Sequence, residues 1–213
     1  PGPPRASACI AAAHGETANL PVRSRLAAIL LAIGAAVAAM LIAHGLNERS
    51  TGAVLQLEAG TVLPEPRPLP EFSLLDHHGR PFGRAELAGQ WTLLFAGFTH
   101  CPDICPATLA ILAGVDANLQ SEGVELRTLF VSVDPERDDP ATLARYVTHY
   151  GPRLIGATGE KPEIDRLMDG LGLVYIKVPL GGESYTVDHS AALALIDPRG
   201  RLAAYFTPPL RPD

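Results

Sequence analysis

The most constraining stretch of this chain is Trp91 to Leu119. It opens with WTLLFAGF, an apolar run from Trp91 to Phe98 that suits a central strand covered on both faces. It continues through GFTHCPDICP, Gly97 to Pro106, which places Cys101 and Cys105 four residues apart. It ends in Ala107 to Leu119, where Leu109, Leu112, Val115 and Leu119 are spaced for one buried helical face. A buried strand feeding two thiols into a helix start restricts the fold to α/β architectures. It also restricts the site chemistry to thiol redox, soft-metal binding, or both.

The remaining elements fit that frame. Phe72 to Phe82 reads as a hairpin with Gly79 in its turn and His77 and His78 at its tip, where exposed turn histidines are the simplest reading. Val124 to Val133 is a second strand. Asp139 is placed to cap a helix whose first residue is Pro140, with Leu143, Tyr146, Val147 and Tyr150 as its buried stripe. Leu154 to Ala157 is a short strand, and Ile164, Leu167, Met168 and Leu171 mark a helix stopped near Gly170 and Gly172. Val174 to Val178 is extended, Gly181-Gly182 opens a loop, and Ala191 to Ile196 pairs with Leu202 to Phe206 across a turn at Asp197 to Gly200. Strands alternating with helices and ending in an antiparallel hairpin predict a mixed sheet flanked by helices, the thioredoxin pattern. In that fold a final helix usually follows the hairpin. TPPLRPD, Thr207 to Asp213, cannot supply one, so either the sequence stops short or one sheet face is under-covered.

The N-terminal part is of another kind. Residues 1–25 are rich in Pro, Ala, Ser and Arg and read as a disordered cytoplasmic tail, with Cys9 an incidental thiol within it. Residues 26–46 contain an uncharged run, Leu26 to Ala43, that at about 1.5 Å per residue approaches the hydrocarbon thickness of a bilayer. Arg23 and Arg25 precede it and Asn47-Glu48-Arg49 follows, so the positive-inside rule puts the N-terminus in the cytoplasm. An uncleaved single-pass anchor fits better than a signal peptide, because the run exceeds a usual apolar signal core. Residues 47–70 carry Pro64, Pro66, Pro68 and Pro70 and read as a semi-rigid polyproline spacer, leaving 71–213 as the folded domain.

Charge narrows the partners. Residues 1–46 hold three Arg against one Glu, whereas the rest hold fourteen Lys and Arg against twenty-two Asp and Glu, giving +2 and −8. An acidic domain is a poor nucleic-acid binder, since phosphate recognition needs a basic footprint. Three cysteines, two of them close together, do not make a disulfide scaffold.

Cys101 and Cys105 form C-x3-C rather than the C-x2-C of ordinary thioredoxin-like redox proteins. Positions four apart on a helical turn hold their Cβ atoms about 5–6 Å apart, wider than a disulfide prefers but suited to two thiolates gripping one soft cation. Soft sulfur ligands select Cu(I), with Zn as competitor, and Cu(II) calls for an imidazole as well. Thiols near a helix N-terminus are expected to ionise more easily. His100, His149 and His189 are the candidate third ligands. His100 adjoins Cys101 and is expected to point elsewhere, and His149 is expected on an exposed helical surface. His189 lies in a loop just before the Ala191 strand, where the chain can pass the cysteine loop.

GFTHCPDICP, FVSVDPERDDPATLARYV (Phe130 to Val147) and YTVDHSAALALIDPRGRL (Tyr185 to Leu202) together resemble the SCO/SenC family over about Phe72 to Phe206. That resemblance implies a membrane-anchored, thioredoxin-like protein that helps assemble the binuclear copper site of cytochrome c oxidase. It implies copper, Cu(I) or Cu(II), held by Cys101, Cys105 and His189, and it places Asp103 and Asp134 behind the ligands or at a partner surface. The implied partners are the copper-containing oxidase subunit, a copper donor, a thiol reductant and the membrane. With the orientation from the charge flanks, the expected location is the inner membrane with the C-terminal domain in the periplasm, toward which the Ala-, Arg- and Pro-rich composition leans; a mitochondrial intermembrane setting fits the same residues. The alternative activity is a thiol–disulfide reductase in which Cys101 and Cys105 cycle while keeping the oxidase's ligand cysteines reduced. A sensor or a peroxidase fits the same residues less well.

Overall fold

The computed structural model describes residues 30–42, 56–57 and 60–210 of the chain. Two compact units divide it, Pro1–Thr51 and Gly52–Asp213. In the first, residues 30–42 form a helix, α1, whose Leu30, Leu31, Met40 and Leu41 are exposed. Among the described residues no helix is long and apolar enough to cross a membrane. The expected tail, residues 1–25 with Cys9, and the two ends of the 26–46 segment lie outside the described residues.

The second unit is a thioredoxin-like mixed α/β fold. Its strands are β1 (Gln56–Leu57), β2 (Gly60–Pro68), β3 (Ser73–Asp76), β4 (Pro81–Gly83), β5 (Trp91–Gly97), β6 (Leu126–Ser132), β7 (Leu154–Thr158), β8 (Tyr175–Gly181), β9 (Ser184–His189), β10 (Leu193–Ile196) and β11 (Arg201–Phe206). Its helices are α2 (Ile104–Ser121), α3 (Pro140–Val147) and α4 (Lys161–Leu171). Nine strands form one sheet in the order β1-β2-β11-β10-β5-β6-β7-β3-β4, and β8 and β9 form a separate two-stranded sheet. β5, β6 and β7 run parallel, joined through α2 and α3, while β10 adds antiparallel to β5.

The core forms where the apolar runs demand it. Every β5 residue after Trp91 is buried, as expected for a strand covered on both faces. Phe95 and Phe130 pack at 6.1 Å between ring centroids across neighbouring strands. Asp139 caps α3 as its sequence foretells, its Oδ1 accepting from the Thr142 N–H at 2.7 Å ahead of Pro140. α4 runs through Gly170 to Leu171 and ends at Gly172, whose φ of +66° is the left-handed conformation that favours glycine at a helix terminus. The β3–β4 and β10–β11 turns share one device. Asp76 accepts from the backbone N–H of His78 and Arg80 and from Arg80 Nε, and Asp197 does the same with Arg199 and Arg201.

Three expectations change. The polyproline spacer over 47–70 is too long: Gly60–Pro68 is a strand paired with β11, Val62 opposite Ala204 and Arg67 opposite Leu202, so the folded part begins before Glu71. The register jumps from Arg67 to Val62 between Leu202 and Ala204, so Pro64 and Pro66 fall in the skipped residues 63–66, where a missing N–H costs the ladder no bond. The helix expected from Ala107 begins at Ile104, which brings Cys105 into its first turn. The loop expected after Val178 is the β8–β9 hairpin, with His189 its last residue. Gly181 and Gly182, at φ +108° and +60°, make its turn. On one face of the large sheet, Leu93, Leu193, Leu195 and Phe206 line an open apolar groove with Val115 and Leu119 of α2.

Candidate metal centre

The chain leaves β5 at Gly97, turns through residues 98–103 and enters α2. The start of that helix leaves backbone N–H groups without intrahelical partners. One is satisfied by sulfur: the Cys105 N–H donates to Cys101 Sγ at 3.4 Å. Pro106, the third helical residue, has no N–H to satisfy. Cys105 is fully buried, Cys101 is half-buried, and both are free thiols. Gly97 makes room for the buried sulfur, since a Cβ there would lie 2.7 Å from Cys105 Sγ and 2.8 Å from the Phe130 ring. The cysteine turn is tied down by Asp138, which accepts from the Thr99 N–H at 2.9 Å, Thr99 Oγ1 at 2.6 Å and Ser132 Oγ at 2.6 Å.

His189 arrives from the other side, at the end of β9 and opposite Tyr175 of β8. Its ring meets Phe95 and Phe98 edge-on, at centroid distances of 5.8 and 6.0 Å. Its Nδ1 lies 3.1 Å from the Ser190 carbonyl, which only accepts, so the proton sits on Nδ1 and Nε2 presents its lone pair to the sulfurs. Nε2 lies 3.4 Å from Cys105 Sγ. The donor atoms of Cys101, Cys105 and His189 all fall within 4.8 Å of one another. Two sulfurs and one imidazole nitrogen at that spacing fit a single soft, three-coordinate cation.

Burial sets the proton affinities. It pushes the Cys105 thiol far above its ordinary value, and the nearby Cys101 and Asp138 push the same way against a backbone hydrogen bond at Phe98. The ease of ionisation expected at a helix N-terminus therefore does not hold for Cys105, where desolvation prevails. Burial also lowers the His189 pKa, against a smaller opposing pull from the Ser190 carbonyl, so the imidazole is neutral at neutral pH.

The remaining expected residues add no donor atom to that group. Asp103 is exposed at the N-cap of α2 and makes no capping hydrogen bond with its side chain. Asp134 is buried, accepting from Tyr185 OH at 2.8 Å and Arg137 Nε at 2.5 Å. His100 is half-exposed and its Nδ1 meets Thr99 Oγ1 at 3.1 Å. His149 is exposed against Tyr150, just past the end of α3. His77 accepts from the Gly156 N–H through Nδ1 at 3.1 Å, and His78 is exposed. Gly97, Asp138, Arg137 and Tyr185 escaped the sequence reading. All four lie within the three quoted motifs, but nothing in their local sequence marked their roles.

The SCO1/SenC family model matches residues 63–213 of the chain. The mitochondrial SCO2 homolog of Mus musculus is 42% identical over 139 residues, covering 64% of this chain and 54% of that protein. This chain thus spans about half the length of that curated relative. Among solved structures, ScoI of Arabidopsis thaliana with copper bound superposes with a TM-score of 0.64 at 36% identity, over 68% of this chain and 90% of that one. Yeast Sco1 with copper bound gives 0.65 at 32% identity, over 70% and 83%.

Proposed function

This chain belongs to the SCO1/SenC family, and from that premise we propose that it is a copper carrier serving the assembly of cytochrome c oxidase. The observation that carries the reading is the meeting of Cys101 Sγ, Cys105 Sγ and His189 Nε2 from two separate segments of the fold. Copper is here the cargo. The two thiolates hold Cu(I), and the neutral imidazole completes the donor set that Cu(II) needs. Release proceeds by ligand exchange. A thiolate of the oxidase's copper-containing subunit approaches on the half-buried Cys101 side and displaces that sulfur first, while Cys105 and His189 let go from behind.

The same proposal assigns residues 26–46 as a single membrane anchor, with the folded domain on the outer face of the inner membrane, in the periplasm. There it meets a copper donor, the oxidase subunit and a thiol reductant that keeps Cys101 and Cys105 in the dithiol form. Asp103, exposed beside the cysteines, belongs to the surface the partner meets.

A second reading rests on the unequal exposure of the thiols. Cys101 is accessible and Cys105 is shielded. The Cys101 thiolate attacks a partner disulfide to form a mixed disulfide, and Cys105 displaces the partner's thiolate. The partner leaves as a dithiol and Cys101–Cys105 is the oxidised product.

Titration of the purified folded domain with copper, then mixing with the apo copper domain of an oxidase subunit, tests the first reading. One equivalent bound and passed on, with His189→Ala impaired in the Cu(II) form, supports it. Binding that survives both Cys101→Ala and His189→Ala unchanged overturns the site. Oxidase maturation intact in His189→Ala but lost in either Cys→Ser variant transfers the case to the reductase.

A further inference from the structure

The hairpin that carries His189 shares no ladder with the large sheet. Past His189 the chain enters β10 of the large sheet at Leu193, which fixes that end of the arm. Most of the side-chain contacts that hold the rest of the hairpin converge on one turn, residues 134–138. Its Asp138 fixes the cysteine side through Thr99 and Ser132. Its other end grips Tyr185 of β9. Tyr185 OH donates to Asp134 Oδ1 at 2.8 Å, Arg137 Nη1 donates to the Tyr185 carbonyl at 3.2 Å, and the Arg137 guanidinium lies 3.7 Å from the Tyr185 ring centroid. Lys177 covers the same ring at 3.8 Å and reaches back to Glu136 at 2.7 Å. Arg137 is itself oriented by Asp134 and passes 5.7 Å from the ring of Phe98, against which His189 rests. A second anchor at the hairpin base joins Tyr175 OH to Asp165 of α4 at 2.5 Å.

We propose that Arg137 and Tyr185 are positioning residues: with Asp134 they clamp the β8–β9 hairpin to the turn that also holds the cysteine loop, and so set the reach of His189 to the sulfurs. Side chains alternate along a strand, so Tyr185, Val187 and His189 share one face. Val187 is buried between the clamp and the ligand. A clamp two positions beyond it controls the tilt of that face. The inference rests on the copper reading for its consequence. Cu(II) needs the imidazole and should feel a loosened hairpin, whereas the sulfurs alone hold Cu(I).

The test compares wild type with Tyr185→Leu, Tyr185→Phe and Lys177→Gln, each checked for fold by circular dichroism. Competition titrations with Cu(II) and Cu(I) salts, and nitrogen coupling in the Cu(II) paramagnetic resonance spectrum, read the ligand. Amide hydrogen exchange of residues 184–190 in the metal-free protein reads the clamp itself. The expected result for Tyr185→Leu is a Cu(II) affinity lower by about 10- to 100-fold with weakened nitrogen coupling, Cu(I) affinity within about threefold, and faster exchange in β9 but not β5. Tyr185→Phe, which loses only the bond to Asp134, and Lys177→Gln, which keeps the Arg137 contacts, should fall between; they carry the test if Tyr185→Leu does not fold. Unchanged exchange in β9, or Cu(II) and Cu(I) affinities that fall together, overturns the clamp. If wild type binds neither ion through sulfur and imidazole, the copper reading fails, and exchange alone still decides the clamp.

Discussion

The cysteine pair and the histidine reach one point from regions built in opposite ways. Cys101 and Cys105 follow β5, which is hydrogen-bonded on both sides by β6 and β10. The turn between is pinned by two bonds from Thr99 to Asp138, which Ser132 of β6 holds in place, and Cys105 is sealed behind Gly97 and Phe130. His189 ends a two-stranded hairpin with Val174, Ile176 and Leu180 exposed around it. The contrast assigns different duties. The sulfurs form a fixed cradle, and the imidazole is carried on an arm whose position is set by side-chain contacts. Such a division would suit the proposed carrier, because one ligand could yield without the scaffold opening.

The largest effect expected from this contrast is on the cradle. Cys105→Ser should lower Cu(I) affinity by about three orders of magnitude while leaving the fold intact, as read by chelator competition and circular dichroism. Retained binding would mean that the cradle lies elsewhere. On the arm, His189→Ala should weaken Cu(II) by roughly a hundredfold and leave Cu(I) nearly unchanged, which equal losses for the two ions would contradict.

Acid distinguishes the halves again. The Cys105 thiol has a raised pKa and is protonated near neutrality, so copper must displace its proton. The lowered pKa of His189 leaves no proton to expel there. Affinity should therefore climb with pH by about tenfold per unit for each thiol proton released, and His189→Ala should not change that slope between pH 6.5 and 8. The smallest effect tests packing. Gly97→Ala sets a methyl against Cys105 Sγ and Phe130 and should destabilise the domain by about 1–3 kcal/mol, visible as a lower urea midpoint. A neutral result would show the cradle to be looser than its contacts imply.

The two regions also differed in how far the sequence announced them. The scaffold was readable because its signals are local: an unbroken apolar run in β5, the Asp139–Pro140 helix start, and two cysteines four apart. The arm was not. Gly181-Gly182 reads equally as a loop or a hairpin turn, and nothing near His189 says that Tyr185 will meet Arg137, 48 residues away. Family resemblance, rather than spacing, singled out His189. The prolines of β2 spoke for a spacer, since pairing with β11 depends on a partner strand that the local sequence does not show. Likewise the raised pKa of Cys105 comes from burial by distant strands, whereas its place near a helix start argued the other way.

The most direct test of the central claim is the absorption spectrum of the Cu(II)-loaded domain, taken beside the Cys101→Ser and His189→Ala variants. Two sulfurs and one imidazole on a single ion should give intense thiolate-to-copper charge-transfer bands. Those bands should vanish or collapse in Cys101→Ser and shift in energy in His189→Ala, because the sulfurs remain while the third donor is gone. Bands identical in wild type and His189→Ala, with Cys101→Ser also unchanged, would show that copper does not sit where the two halves meet.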